Sequence, residues 1–176
     1  ECKIQAFRDI HAGLGADLYA LAYARAFSTT VQEVMDDKVN GTGLKRQIGK
    51  VMELMLQYGG GVGAFVTGAE TYRIDLEELT RVALPLIPAH IIAEAEGMWL
   101  WANDPKHKAR RRFTCGLRRE VFVVCDSLKR LWRLQHPEIV SLWAELENAA
   151  RAAIMQPGST IECRMFRLRR DGSWLR

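Results

Sequence analysis

No apolar run in this chain approaches the roughly 18–20 residues that a membrane-spanning helix needs, and no signal-peptide pattern is visible. Cysteine is scarce and scattered. Cys2, Cys115, Cys125 and Cys163 include no CxxC pair, which argues against zinc. Their spacing also argues against a disulfide framework and fits a reducing compartment. Histidine is scarce too, and His90 and His107 read as packing or surface residues, so no metal site is expected on this chain. Spacing shows no Ser-His-Asp or Cys-His constellation. The glycine-rich stretch 59–68 lacks the Gly-Lys-Ser/Thr of a phosphate loop and follows no clear strand, which excludes a P-loop and a dinucleotide fingerprint. Repeats and low-complexity tracts are absent as well.

What is there suits one helical domain spanning 1–176. The chain has 176 residues, 48% of them hydrophobic, enough to bury a core. The net charge of +4 permits a nucleic-acid partner without demanding one. The expected fold class is mainly α with a short C-terminal β-hairpin. Both ends have the look of a cut, with no initiating Met and a stop just past a turn, so a piece of a longer chain is expected.

Taken in order, residues 2–27 read as helix, interrupted near His11-Ala12-Gly13-Leu14-Gly15. Asp17 can cap the second piece, and Leu18, Leu21, Ala22, Ala26 and Phe27 form its core stripe. A short helix follows to Asn40, capped by Ser28, Thr29 or Thr30, with Glu33 in its first turn; Asn40-Gly41 then marks a turn. Between Gly59 and Gly68, five glycines argue against regular helix, with Phe65 as anchor. Asp75 and Glu78 resemble a capping box for a helix ending before Pro85. Pro88 opens another that runs to about Asn103. Arg119 to Leu134 carries Val121, Cys125, Leu128 and Trp132 on one face, and His136-Pro137 ends it. Thr160 to Leu168 reads as a strand, and Asp171-Gly172 as a hairpin turn into a return strand over 173–176.

The most informative stretch is 42–61. Thr42 signals a helix start, and Leu44, Ile48, Val51, Met52 and Met55 make one apolar face. Arg46, Lys50, Leu54 and Tyr58 are spaced by four and form a second stripe about 18 Å long. It starts on the polar face and ends at the margin of the core. Two cations one turn apart can hold a polyphosphate; an apolar residue and a ring then suit a sugar and a base. Flexible glycines follow Tyr58. Cations at this spacing are otherwise simply solvated, and a tyrosine at a core margin is otherwise packing.

This stripe resembles the Arg-x3-Lys-x3-(aromatic)-x3-Tyr-Gly signature on the fingers helix of family-A (polymerase-I-like) DNA polymerases. Arg46, Lys50, Tyr58 and Gly59 match in register. Gly49-Lys50, Leu54, Tyr58-Gly59-Gly60-Gly61 and Ala64-Phe65 are similar to the bacteriophage and prophage branch. Leu54 stands where cellular enzymes carry Phe or Tyr; Glu53 replaces a usual Asn, and Gln47 a common second Arg. Two flanking matches extend the resemblance. Ala6-Phe7, Asp17-Leu18-Tyr19 and Phe27 resemble the segment before the fingers. Arg130-Leu131-Trp132-Arg133, Pro137-Glu138-Ile139, Trp143 and Leu146-Glu147-Asn148 resemble the helices after them, whose tryptophans are packing residues.

The resemblance implies that Arg46 and Lys50 hold the phosphates of an incoming deoxynucleoside triphosphate, with Leu54 and Tyr19 beside it. Tyr58 and Gly59 would lie by the template base. Tyr19 has ordinary packing as its alternative. The run Lys106, Lys108, Arg110, Arg111 and Arg112, with Arg118-Arg119 behind, would neutralise template or duplex phosphates, or is a solvated loop. The family moves a nucleotidyl group with Mg2+ held by aspartates in Asp-Tyr-Ser and His-Asp-Glu motifs. Neither motif occurs here. The chain is therefore expected to carry no catalytic or metal residue, to be inactive alone, and to serve DNA replication within a monomeric parent polymerase. Its partners would be primer-template DNA and dNTP in a bacterial cytoplasm. The competing expectation is a non-catalytic helical nucleic-acid-binding module that uses residues 106–119.

Overall fold

The structure, a computed structural model, describes residues 2–12, 15 and 17–175, without the side chains of Cys2, Lys3, Ile4, Ala6 and Phe7. The expected matches at Ala6 and Phe7, and the expected break at Gly13 and Leu14, thus fall at least in part outside the described residues. The fold is mainly α with a small C-terminal antiparallel sheet. The chain divides into two compact units, Glu1–Gln135 and His136–Arg176.

The first unit holds α1 (Cys2–His11), α2 (Leu18–Ala26), α3 (Val31–Asn40), α4 (Leu44–Leu56), α5 (Val62–Thr71), α6 (Leu76–Ala83), α7 (Ala89–Ala102) and α8 (Arg119–Gln135). Short 3-10 segments over Leu84–Leu86 and Pro105–Thr114 join α6 to α7 and α7 to α8. The capping signals act where local chemistry places them. Asp17 Oδ1 accepts from the Tyr19 and Ala20 amides at 3.0 and 3.1 Å. Thr30 Oγ1 takes the Glu33 amide, and Asp75 Oδ1 the Glu77 and Glu78 amides. At α4 the cap residue is Gly43 in the left-handed region (φ 69°), and Thr42 contributes by accepting from the Leu44 amide.

Two helices form the centre. α4 packs on α2, α3, α5 and α8; α8 also packs on α2, α5, α6 and α7. The expected apolar face of α4 is buried at Leu44, Ile48, Val51 and Met52, joined by Leu56, while Met55 is only half-buried. α8 buries its expected stripe and more: every residue from Val121 to Leu128 is inside, Asp126 and Ser127 included. Helix faces all round are buried because α8 has neighbours all round. On α2 the buried set is Ala20, Ala22, Tyr23, Ala24 and Ala26, whereas Leu18, Leu21 and Phe27 are only partly covered.

Three sequence expectations need correction. The glycine-rich stretch does form a helix: α5 runs from Val62, with Phe65 fully buried as its anchor. Small residues carry little side-chain bulk, so α5 packs closely; a Cβ on Gly68 would lie 2.4 Å from Met55 Cγ. Next, α4 ends at Leu56, so Tyr58 lies beyond the helix and is 85% exposed, not at a core margin. Finally, the stretch 160–168 is not one strand, because Arg164 at φ 51° and Met165 turn the chain inside it.

The second unit pairs α9 (Pro137–Met155) with β1 (Thr160–Cys163), β2 (Phe166–Asp171) and β3 (Trp174–Leu175), an antiparallel meander in that order. Thr160 faces Arg169 and Cys163 faces Phe166; Asp171 faces Trp174 across the expected Gly172 turn. Ala149 and Ala153 of α9 and Cys163 of β1 are its buried residues. Arg164 reaches Glu145 on α9 through two 2.7 Å hydrogen bonds.

Candidate functional site

The packing of α2 on α4 builds the candidate site. Gly49 sets its closeness: a Cβ there would lie 2.1 Å from the Tyr19 carbonyl oxygen and 3.0 Å from the Tyr23 amide nitrogen. No side chain fits that gap, so the two backbones touch. This close approach brings the N-terminus of α2 against the face of α4 that carries Arg46 and Lys50.

There Arg46 donates from Nε (3.0 Å) and Nη2 (2.8 Å) to Asp17 Oδ2. Both side chains are about three-quarters covered (24% and 23% exposed), so solvent screens the pair only partly. The guanidinium carbon also stands 5.1 Å from the centre of the Tyr19 ring. Lys50 Nζ lies 5.9 Å from that same ring and 4.0 Å from the Tyr72 ring of the segment after α5. Two rings and a carboxylate thus flank two cations one helical turn apart. Burial pushes the Asp17 carboxyl up, but the hydrogen bond from Arg46, the Ala20 amide, the Arg46 charge and the Tyr19 amide together hold it below its ordinary 3.8. Asp17 is therefore charged at neutral pH, and the site sets two cations against one carboxylate.

Beside this cluster opens a cleft of about 300 Å3, lined by Ile10, Asp17, Leu18, Tyr19, Glu53, Leu54 and Gln57. Four of the five expected nucleotide-binding residues therefore gather here: Arg46 and Lys50 at Tyr19, and Tyr19 with Leu54 in the cleft wall. Tyr58 does not join them; it stands exposed in the turn after α4, followed by Gly59 at φ 78°. At the cleft floor Glu53 is 4% exposed and accepts from the Trp132 indole N–H at 3.0 Å, tying α4 to α8. Sequence reasoning missed Asp17 as a partner of Arg46, Tyr72 as a partner of Lys50, and the Glu53–Trp132 bond. The only local signal was the Asp17-x-Tyr19 spacing.

The second expected region lies on the 3-10 segment Pro105–Thr114, opened by Asp104, whose Oδ1 accepts from the Lys106 amide at 2.9 Å. Lys106, Lys108, Arg111 and Arg112 are exposed and Arg110 half-buried. Among the described residues, none of these five has an ion-pair partner. Arg118 and Arg119 differ: Glu77 pairs with the first, and Glu96 with the second at 2.9 Å. The expected cluster 106–119 is thus two populations, five cations without a carboxylate among the described residues and two paired ones.

Among the described residues, no group of three or more His, Cys, Asp or Glu side chains is placed to hold a metal ion, and no helix is long and apolar enough to cross a membrane. Comparison with protein-family models, with curated proteins and with solved structures finds no match to this chain.

Proposed function

We propose that this chain is the fingers portion of a phage-type family-A DNA polymerase, and that its α2–α4 cluster grips the triphosphate of an incoming deoxynucleotide in the cytoplasm of a bacterial host. The observation that carries the reading is the convergence of Arg46 and Lys50 on the Tyr19 ring, beside a cleft that Leu54 walls. The register of Arg46, Lys50, Tyr58 and Gly59 supports it independently.

In this reading Lys50 supplies a point charge to the phosphates. Arg46 offers the N–H groups that Asp17 leaves unused, since a guanidinium has five and Asp17 takes two. Tyr19 and Leu54 flank the sugar and base. Tyr58 and Gly59, outside the helix and exposed, would meet a template base. The metals of the nucleotidyl transfer are not expected on these residues, so no step here runs through a metal. What this chain contributes is binding and orientation, with charge ready for the leaving pyrophosphate.

The test is binding of a fluorescent deoxynucleoside triphosphate to the purified chain. Replacing Arg46 and Lys50 together by Ala should weaken it at least about tenfold, each charge-assisted contact being worth roughly 1.5–3 kcal/mol. Unchanged binding would remove the proposed site. A second reading, a non-catalytic nucleic-acid-binding module, is favoured by one observation: the five unpaired cations of 106–112. Nucleic-acid binding that survives loss of Arg46 and Lys50, without any triphosphate binding, would make it the better account.

A further inference from the structure

The unpaired cations of the 3-10 segment sit with two exposed aromatic rings. Trp101, in the last turn of α7, and Phe113, near the end of the segment, are each 42% exposed. Their ring centres are 5.6 Å apart at a 44° tilt. Arg110 places its guanidinium carbon 4.5 Å from the Trp101 ring centre, and Arg112 places its own 5.1 Å from that of Phe113. The two rings thus stand side by side with a guanidinium against each, in the order Arg110, Trp101, Phe113, Arg112.

We propose that this surface, Trp101 and Phe113 with Arg110 and Arg112, is a stacking platform for unpaired bases of single-stranded DNA, with neighbouring Lys and Arg side chains following the phosphates. Two features select this partner. A run of positive charge without ion pairs calls for a polyanion: among the described residues none of the five cations pairs with a carboxylate, in contrast to Arg118 and Arg119. Exposed rings and guanidinium planes have π faces to offer, and only unstacked bases can use them; a duplex presents edges and phosphates alone. An acidic protein would satisfy the charges but leave the rings without a matching surface. The inference does not depend on the triphosphate site or on the polymerase reading.

The test uses the full chain and fluorescence anisotropy with a labelled oligothymidylate of about 20 nucleotides, enough to cover one binding surface. Controls are an abasic strand of the same length and a duplex. The oligothymidylate should bind about tenfold or more tighter than the abasic strand, because each stacked base is worth roughly 1–3 kcal/mol. Trp101→Leu keeps apolar bulk and should lose most of that preference while leaving the salt dependence unchanged. Lys106→Ala with Lys108→Ala, two exposed cations outside the platform, should instead flatten the salt dependence by about 0.7 per lost phosphate contact. Equal binding of abasic and base-bearing strands, tighter binding of the duplex, or full base preference in a folded Trp101→Leu protein would each overturn the proposal. The abasic comparison decides the matter even if Trp101→Leu fails to fold. Triphosphate binding, read separately with the Arg46 and Lys50 variant, keeps failure here distinct from failure of the α2–α4 site.

Discussion

The two basic regions of the first unit treat their charges in opposite ways. Arg46 is held by two hydrogen bonds to Asp17, Lys50 lies 4.0 Å from the Tyr72 ring, and both are partly covered. The cations of 106–112 have no carboxylate among the described residues, and four of the five are exposed. A pinned, partly desolvated pair has a defined geometry and can recognise a ligand of fixed shape, such as a triphosphate. A run without ion pairs, in which only Arg110 and Arg112 lie against rings, has more reach and less fixed geometry, which suits a flexible polymer. Charge count alone would have ranked the open run first. The partners of each charge reverse that ranking for a small ligand.

Gly49 is where the two regions should part most sharply. Gly49→Ala must separate α2 from α4, because the new Cβ meets the Tyr19 backbone carbonyl at 2.1 Å. A loss of about 1–3 kcal/mol in unfolding free energy is expected from overpacking. Triphosphate binding should fall with it while oligothymidylate binding holds. Urea melts and the two binding assays on one preparation would check this; parallel loss of both activities would show that the regions are not independent.

Asp17→Asn probes the pinned side more gently. Asn still caps α2, so the helix should stay. The carboxylate that competes for Arg46 is gone, so triphosphate should bind several-fold tighter, in line with a partly buried charge pair. The same variant has a pH signature. The Asp17 carboxyl is depressed on folding, so its contribution is fully present above the unfolded value near 3.8 and is lost as pH falls through the lower folded value. Thermal melts between about pH 6 and about pH 2 should show an acid-side loss in the native protein that is smaller in Asp17→Asn. An identical acid limb would mean that the pair contributes nothing.

The smallest effect is expected at Tyr58. With 85% of its surface exposed and no place in α4, Tyr58→Ala should change stability by no more than about 0.5 kcal/mol, read by the same melts. A larger loss would mean that the ring packs after all. It would then belong with the pinned cluster and not with a surface waiting for a template base.

How much of this was legible beforehand depends on the range of each signal. Asp17 and Asp75 read as caps, and Thr30 as one of three candidates with Ser28 and Thr29; Asp17, Thr30 and Asp75 are caps, because a side chain and the amides two and three residues on are fixed by local geometry. Gly172 read as a hairpin turn for the same reason. The misreadings came where neighbours overrule propensity. Five glycines argue against helix in isolation, yet α5 forms because small residues let it lie against Met55 and Val51. Thr160–Leu168 looked like one strand, but Arg164 turns at a positive φ and is held there by Glu145 from 19 residues away.

By itself, the sequence determined a mainly helical chain, its caps, the apolar face of α4 and the one-turn spacing of Arg46 and Lys50. All of these follow from periodicity and chemistry within a few residues. Only the tertiary structure decided which charges are engaged. Asp17 and Arg46 are 29 positions apart, and Glu53 and Trp132 are 79. In neither pairing does composition or spacing point from one partner to the other. Each exists because helix packing, limited for α2 on α4 by the missing side chain of Gly49, brings distant groups within hydrogen-bond reach and removes the water that would otherwise separate them.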